Sequence, residues 1–588
     1  MFGPGRHRWL LLAIAAVLFL TTDDRHPGVV ADGRQMAWTA VAMTESGTIG
    51  QARARDLTIP RPGGDAVSRY GLAMSVAQLP AAVLAPIVEA GNGAGSSQPL
   101  FLLAPFGFLL IAAIAAGDAA RGLGASPRGE RLAIMLATLG SPLASYAAFD
   151  TSETLQAAAV TVAFCASVRR QPIVAGLAAG IAVLAKSSLL FVAPFACLPL
   201  LSTATATRRS QVTSRSATIL SRAAVSFGVC LAVWLALEIA RFGRPLAGYG
   251  GEGFTHSFFD GLWRLLIGVN KGLLWYFPAA IAAALSARAQ GSRQIVIAGA
   301  WLPMAALLLL SASWWAWDGA FGWGPRLLVP GVSLLAVLAA VEMQRWPRAA
   351  ANALLIVSVA VNVPPLLQHP VVSMEKELAQ PWPEVSADVA MRAPVFARRQ
   401  DGGTWRVVPH LVTSRNALNT PLLTLPRAFA AEPEWRVWGR GFFPTEAERG
   451  YGRVYDAGLA DQVLRAQQLR DLALADRLAR KLLTLAPDGF ADALMMETFR
   501  LGQREQDAVS YLTGLPLERR SHPAINVVLA LWERDRGSES TARAFLQSSG
   551  QAFPDSPVQT ALTSPLSAWP SDFATMTEDV ALQIPSAK

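Results

Sequence analysis

Five aspartates, Asp23, Asp24, Asp32, Asp56 and Asp65, stand in one polar stretch between Thr21 and Tyr70. A positioned carboxylate can take a proton from a hydroxyl nucleophile. Asp32, in Ala31-Asp32-Gly33-Arg34 ahead of the amphipathic run Met36 to Met43, is the best placed for such work. The same position suits a helix N-cap, and a capping carboxylate at a membrane surface can still accept a proton. A second acidic turn, Asp150-Thr151-Ser152-Glu153, falls where one apolar segment ends and the next begins. Glu153 reads there as a first-turn residue favoured by the helix dipole. It equally reads as a second catalytic carboxylate, able with Asp32 to hold a divalent cation such as Mg or Mn, or to position an acceptor.

The cations that would complement such chemistry are few. Lys186, in Lys186-Ser187-Ser188, interrupts an apolar run; at a bilayer centre it would cost about 2.5 to 3.5 kcal/mol, so a surface position and an anionic phosphate partner are expected. Lys271, just before an apolar segment, is either a snorkelling anchor or a ligand for a lipid-borne phosphate. The run from Ser313 to Arg326 holds four tryptophans, Trp314, Trp315, Trp317 and Trp323, around Asp318. An interfacial belt explains some of them; aromatic faces also suit sugar rings, and Arg326 suits a phosphate fork. Tyr70, Trp317 and Asp318 complete the candidate substrate-binding set. His256 has no partner at metal-ligand spacing.

These residues need a membrane frame. The 588 residues are 52% hydrophobic and 16% charged, with a mean hydropathy of +0.34. That composition excludes an ordinary soluble multidomain protein. The net charge of +9 comes largely from short basic loops between apolar segments, a topology signal that argues against nucleic-acid binding. Cys165, Cys197 and Cys230 lie inside apolar segments, which predicts buried, inert thiols without a disulfide framework or zinc site.

Candidate spans are 8–22, 99–117, 131–149, 153–168, 172–200, 220–240, 273–288, 294–312, 327–342 and 349–367. The first reads as a signal anchor. Gly71 to Glu89, interrupted by Gln78, Pro80 and Pro86, is expected to be interfacial or half-inserted. Pro172 to Leu200, basic on both flanks, is expected to fold back as two short helices. About eleven spans result, with every short arginine-bearing loop inside. The 23–98 loop, the 150–153 turn, the Lys186 tip, the 241–272 and 313–326 loops and the C-terminal part then face outward.

Residues 368–460, rich in Pro, Arg and Trp, read as a connecting layer on the outer membrane face. Residues 461–588 read as a helical domain with a frayed tail after about Ser556. Its two Pro-Asp marks, at 487 and 554, suggest two periods of a 34-residue helix-turn-helix, resembling tetratricopeptide repeats.

Taken in order across residues 8–367, several pieces resemble the GT-C class of integral-membrane glycosyltransferases, the protein O-mannosyltransferases and aminoarabinose transferases. They are Asp32-Gly33, Ser141-Pro142 to Glu153, and Ala175-Gly176-Leu177 to Lys186-Ser187-Ser188. Gly248-Tyr249-Gly250 through Asn270-Lys271-Gly272-Leu273 and Trp317-Asp318-Gly319 to Trp323-Gly324-Pro325-Arg326 complete the set. The resemblance implies an all-α polytopic fold and a polyprenyl-phosphate sugar donor. It implies Asp32 as base on an acceptor hydroxyl, displacement with inversion, and Lys186, Lys271 and Arg326 around the departing phosphate. Glu153 would assist with a metal or the acceptor. Gly33 stands where relatives often carry a second acid, and Lys186-Ser187-Ser188 where many carry Thr-Arg-Pro. The expected setting is a bacterial-type inner membrane, N-terminus cytoplasmic and helical domain periplasmic, with an envelope glycan, lipid or protein as acceptor and a protein partner on 461–555. A lipid-linked sugar flippase or a non-catalytic envelope scaffold is the alternative.

Overall fold

The ten apolar runs form helix, and several of them are interrupted. The structure, a computed structural model, describes residues 7–21, 31–52, 58–148, 151–203, 209–249, 253–269, 271–288, 293–319, 322–367, 384–385, 397–399, 405–407, 454–550 and 557–577. Asp23, Asp24, Asp56, Asp150 and Asn270 lie outside the described residues, as does most of the 368–460 layer. In that layer three short strands pair antiparallel, Glu384–Val385 and Ala397–Arg399 flanking Trp405–Val407.

The run 131–149 is helix only to Ala137; the chain bends at Thr138 and resumes as a 3-10 turn from Pro142 to Ala147. The run 273–288 divides at Phe277-Pro278 into Leu273–Tyr276 and Ala280–Leu285, because a residue before proline avoids the α conformation. The run 172–200 gives an α-helix, Pro172–Ala185, then 3-10 segments Ser187–Phe191 and Ala193–Thr203. Pro194 and Pro199 disrupt the backbone hydrogen bonds of a second α-helix there. Among the described residues four helices are long and apolar enough to cross a membrane, Gln98–Gly122, Ala217–Phe242, Gln294–Ser313 and Arg326–Met343, beside six shorter apolar ones.

The chain divides into two compact units: Met1–His26 with Leu102–Trp438, and Pro27–Phe101 with Gly439–Lys588.

In the first unit the core runs along Val329–Met343, buried on nearly every face. Helices Pro127–Ala137, Glu153–Val168, Ala280–Leu285 and Arg293–Ser313 pack on it. Packing relies on small residues, as expected where lipid removes the hydrophobic drive between helices. Gly176 and Gly180 on Pro172–Ala185 meet helix Arg209–Phe242; a Cβ at Gly180 would stand 2.2 Å from Cys230 Cβ. The Thr161 and Ser333 hydroxyls hydrogen-bond between buried helices. Cys165 and Cys230 are buried and Cys197 is half-buried, all as free thiols.

The second unit has its own core, built from Ala37, Trp38 and Val41, from Ala81, Ala82 and Ala85, and from the C-terminal helices. Gly71 to Glu89 forms Leu72–Ala77 and Leu79–Asn92. Ala81, Ala82, Ala85 and Glu89 are buried, while Val76, Val83, Leu84 and Ile87 are exposed. In the C-terminal region alternate helices begin at Val454, Gly489, Pro523 and Pro557, spaced by 35, 34 and 34 residues. Neighbouring helices pack pairwise along this series, the stacking of a helical-hairpin repeat. Asp471 and Asp488 cap the helices that follow them. The tail expected to fray carries Pro557–Thr563 and Phe573–Met576, with Trp569, Phe573 and Met576 buried. Its anchor is the buried Arg500–Glu497 pair, in which Arg500 also donates to the Ser571 carbonyl and Glu497 accepts from the Phe573 N–H.

Candidate functional site

In the first unit the chemistry gathers around the turn from Trp317 to Arg326. Arg326 begins the helical stretch that continues as Val329–Met343, and its Nε donates to Glu153 Oε1 at 2.6 Å. Both side chains are nearly buried, 11% and 5% exposed. Glu153 opens helix Glu153–Val168, where the dipole favours an anion. Its other oxygen, Oε2, and the Thr151 and Thr154 hydroxyls are buried with no hydrogen-bond partner among the described residues. Three unused polar groups at one helix start are what a polar ligand would satisfy, since buried polar groups are normally bonded.

Lys271 reaches the same turn from another segment, donating from Nζ to the Gly322 carbonyl at 2.8 Å. Burial brings its ammonium down to about 8, an effect that Asp318 opposes and Arg326 reinforces. Asp318 is buried. The turn is held from several sides: Tyr146 Oη donates to the Trp323 carbonyl at 3.1 Å, and Trp323 Nε1 donates to Asn362 Oδ1 at 3.1 Å. Asn362 Nδ2 donates in turn to the Tyr276 carbonyl. Gly324, at φ +64°, leaves room for the Tyr276 ring, 2.7 Å from where a Cβ would stand.

Trp317 is 4% exposed. His256 stacks on it at 5.3 Å, and the Arg264 guanidinium lies 5.4 Å from its ring centre. Asp260 ties both, accepting from Arg264 Nε at 2.7 Å and hydrogen-bonding His256 Nε2 at 3.1 Å. Burial lowers the His256 imidazole from its ordinary value. Asp260 and Arg264 were not among the expected site residues; the four-residue spacing of 256, 260 and 264, with Asp260 and Arg264 on helix Phe258–Ile267 and His256 just before it, was the signal that could have found them. Lys186 ends helix Pro172–Ala185 in extended conformation, half-buried at the joint with Ser187–Phe191.

In the second unit Asp32 lies in the first turn of helix Ala31–Glu45, half-buried. Tyr70, which follows the strand Ala66–Ser68, donates from Oη to Asp32 Oδ1 at 2.7 Å. Two expected residues, 38 positions apart, thus meet. The Arg34 guanidinium stands over the Trp38 ring at 5.3 Å. Asp65 carries a further cation pair, accepting from Arg61 at 2.6 Å and Arg465 at 2.9 Å. Burial raises its pKa, and the two guanidiniums more than offset this, leaving it below the ordinary carboxylate value.

The structure thus brings together Glu153 with Arg326, Lys271 with the turn between Asp318 and Arg326, and Asp32 with Tyr70. Asp32 and Tyr70 belong to one unit and the other expected residues to the other. Among the described residues no group of three or more His, Cys, Asp and Glu side chains is placed to hold a metal ion. The Asp32 and Glu153 carboxylates are engaged by Tyr70 and Arg326.

No protein-family model matches the sequence, and no curated protein matches it. Among solved structures the chain is similar to the crystal structure of ArnT from Cupriavidus metallidurans bound to undecaprenyl phosphate, at 18% identity and a TM-score of 0.45, over 87% of this chain and 82% of that one. It is similar also to ArnT from the same organism in the apo state, at 17% identity and a TM-score of 0.42, over 86% of this chain and 79% of that one.

Proposed function

We propose that this chain is an integral-membrane glycosyltransferase of GT-C type that moves a sugar from a polyprenyl-phosphate donor to a hydroxyl of an envelope glycan, lipid or protein. The observation that carries the reading is the gathering of Lys271, Arg326 and Glu153 on one buried turn inside an apolar helical unit. Two cations held in so dry a place suit a phosphate whose lipid tail lies in the same apolar phase.

Roles follow from the chemistry. Asp32, oriented by the Tyr70 hydroxyl, takes the acceptor proton. The acceptor oxygen forms a bond to the anomeric carbon from the face opposite the phosphate, the sugar–phosphate C–O bond breaks, and its electron pair leaves on the polyprenyl phosphate. The configuration inverts. Lys271 and Arg326 stabilise that departing charge, and Lys186 serves the same phosphate. Glu153 holds Arg326 through one oxygen and receives a substrate hydroxyl on the other. Asp318 sustains the charge on Lys271, and Trp317 carries Arg264 and His256. By the positive-inside rule the reaction faces outward from a bacterial-type inner membrane.

A flippase would be expected to carry charge deep inside several spans. In the four long apolar helices the charged residues, among them Asp118, Arg121, Arg222, Glu238, Arg241, Arg326 and Glu342, lie toward the ends.

The test uses the full chain in proteoliposomes with radiolabelled polyprenyl-phosphate mannose and polyprenyl-phosphate aminoarabinose, and envelope extract as acceptor. Label should leave the lipid donor, and Asp32→Asn and Arg326→Ala should each reduce transfer at least about a hundredfold. Full transfer by a folded Asp32→Asn protein would remove Asp32 from the mechanism; label that crosses the bilayer still attached to its lipid would favour the flippase.

A further inference from the structure

Within the second unit, helix Val454–Gln468 of the first C-terminal hairpin presents nearly one residue per turn to the segment carrying Asp32 and Tyr70. Tyr455 Oη donates to Glu45 Oε1 at 2.6 Å, beside Lys481 Nζ at 2.7 Å. Glu45 is the last residue of the Asp32 helix. Gly458 lies flat on that helix: a Cβ there would stand 3.0 Å from Trp38 Cδ1 and 3.2 Å from Val41 Cβ. Asp461 accepts from the Ala52 N–H at 3.3 Å, and Gln462 Nε2 donates to the Gly50 carbonyl at 2.9 Å. Arg465 donates to Asp65 at 2.9 Å. Residues 455, 458, 462 and 465 recur at three- and four-residue intervals, so they share one helical face.

The gripped elements are those that define the Asp32–Tyr70 pair. Strand Gly50–Gln51 pairs with Val67 and Ala66, in the strand that ends at Ser68, two residues before Tyr70. Gln51 Nε2 returns to the Asp32 helix, donating to the Gln35 carbonyl at 3.1 Å and Thr39 Oγ1 at 2.9 Å. The helix bearing Asp32 and the strand leading to Tyr70 are thus both fixed by the same C-terminal helix.

We infer that helix Val454–Gln468, through Gly458 and the Tyr455–Glu45–Lys481 cluster, is a positioning element for Asp32: the C-terminal helical domain sets the registry of the Asp32–Tyr70 pair. This rests on Asp32 as the base. Gly458 permits the close approach, and Glu45 with its partners fixes the helix along its axis.

The test is Gly458→Leu in the full-length protein, assayed with radiolabelled polyprenyl-phosphate mannose and aminoarabinose and envelope extract, with amide hydrogen exchange read over residues 31–45. A leucine side chain must part the two helices. The kcat should fall about tenfold to a hundredfold, the donor KM should stay within about twofold because uniform binding is untouched, and exchange in 31–45 should rise. Because Gly458→Leu risks misfolding, a charge swap is the second arm: Glu45→Lys and Lys481→Glu should each lower kcat, and the double variant should restore it. Unchanged kcat in Gly458→Leu beside an inactive Asp32→Asn, or a double variant no better than the singles, overturns the positioning role and leaves Asp32 as base. An active Asp32→Asn overturns the base itself and with it any catalytic meaning of the brace.

Discussion

Lys271 makes the proposed phosphate contact sensitive to pH. Its ammonium, brought to about 8 by burial, is about 90% protonated at pH 7 and about 10% at pH 9. The charge available to a phosphate therefore falls about tenfold over that interval, whereas a lysine at 10.5 would stay about 90% charged even at pH 9.5. The kcat/KM for donor should decline by about that factor from pH 7 to 9, because this quantity reports the free enzyme. A bound phosphate raises the lysine again, so kcat should decline at higher pH than kcat/KM. Stability moves the opposite way. Between about pH 8 and 10.5 the unfolded chain keeps a proton that folded Lys271 has released, so this group makes the fold more stable as pH rises through the window. Loss of activity there is not unfolding caused by Lys271. Initial rates in proteoliposomes from pH 6.5 to 9.5, with polyprenyl-phosphate mannose and aminoarabinose as donors, test this. Lys271→Arg, whose guanidinium does not titrate in the range, should flatten the profile. A level wild-type profile, or the same decline in Lys271→Arg, refutes the reasoning.

Two further outcomes are expected. Tyr70→Phe removes the 2.7 Å donor to Asp32; a bond to a charged group is worth about 1.5 to 3 kcal/mol, so kcat should fall at least about tenfold with donor KM unchanged, and kinetics equal to wild type would detach Tyr70 from the base. Gly180→Ala places a methyl carbon 2.2 Å from Cys230 Cβ; overpacking costs about 1 to 3 kcal/mol, so thermal unfolding in detergent should occur at lower temperature, and an unchanged transition would deny the close helix contact.

Hydropathy made the apolar helices legible because each span is written locally: Gln98–Gly122 and Arg293–Ser313 coincide with their runs to within a few residues. Pro278 explains where 273–288 breaks, whereas 131–149 and 172–200 break at Thr138 and Lys186, a detail that length and apolarity alone conceal. Within the site, residue types were legible and pairings were not. Arg326 and Glu153 are 173 residues apart, and nothing in either segment names the other. The Trp317 ring, of a type that suits sugar faces, is covered by His256 and Arg264 through tertiary packing that sequence does not display. Asp260 is easily passed over because in an aromatic loop only its four-residue spacing from His256 and Arg264 marks it. The link between Gly458 and Trp38 was hidden because a glycine's value lies in what approaches it.

The Tyr455–Glu45 bond closes a loop of 410 residues. When Asp32 and its helix emerge from the ribosome, the partner helix does not yet exist, and every intervening apolar segment is made first. Long-range closure of this kind comes late in folding, since its entropy must be met before any contact rewards it. The Asp32 segment therefore matures last although it is synthesised first, and a chain released before Val454 holds the proposed base without the helix inferred to position it. Synthesis itself becomes a safeguard: the proposed chemistry becomes available only to a polypeptide whose membrane part is already complete.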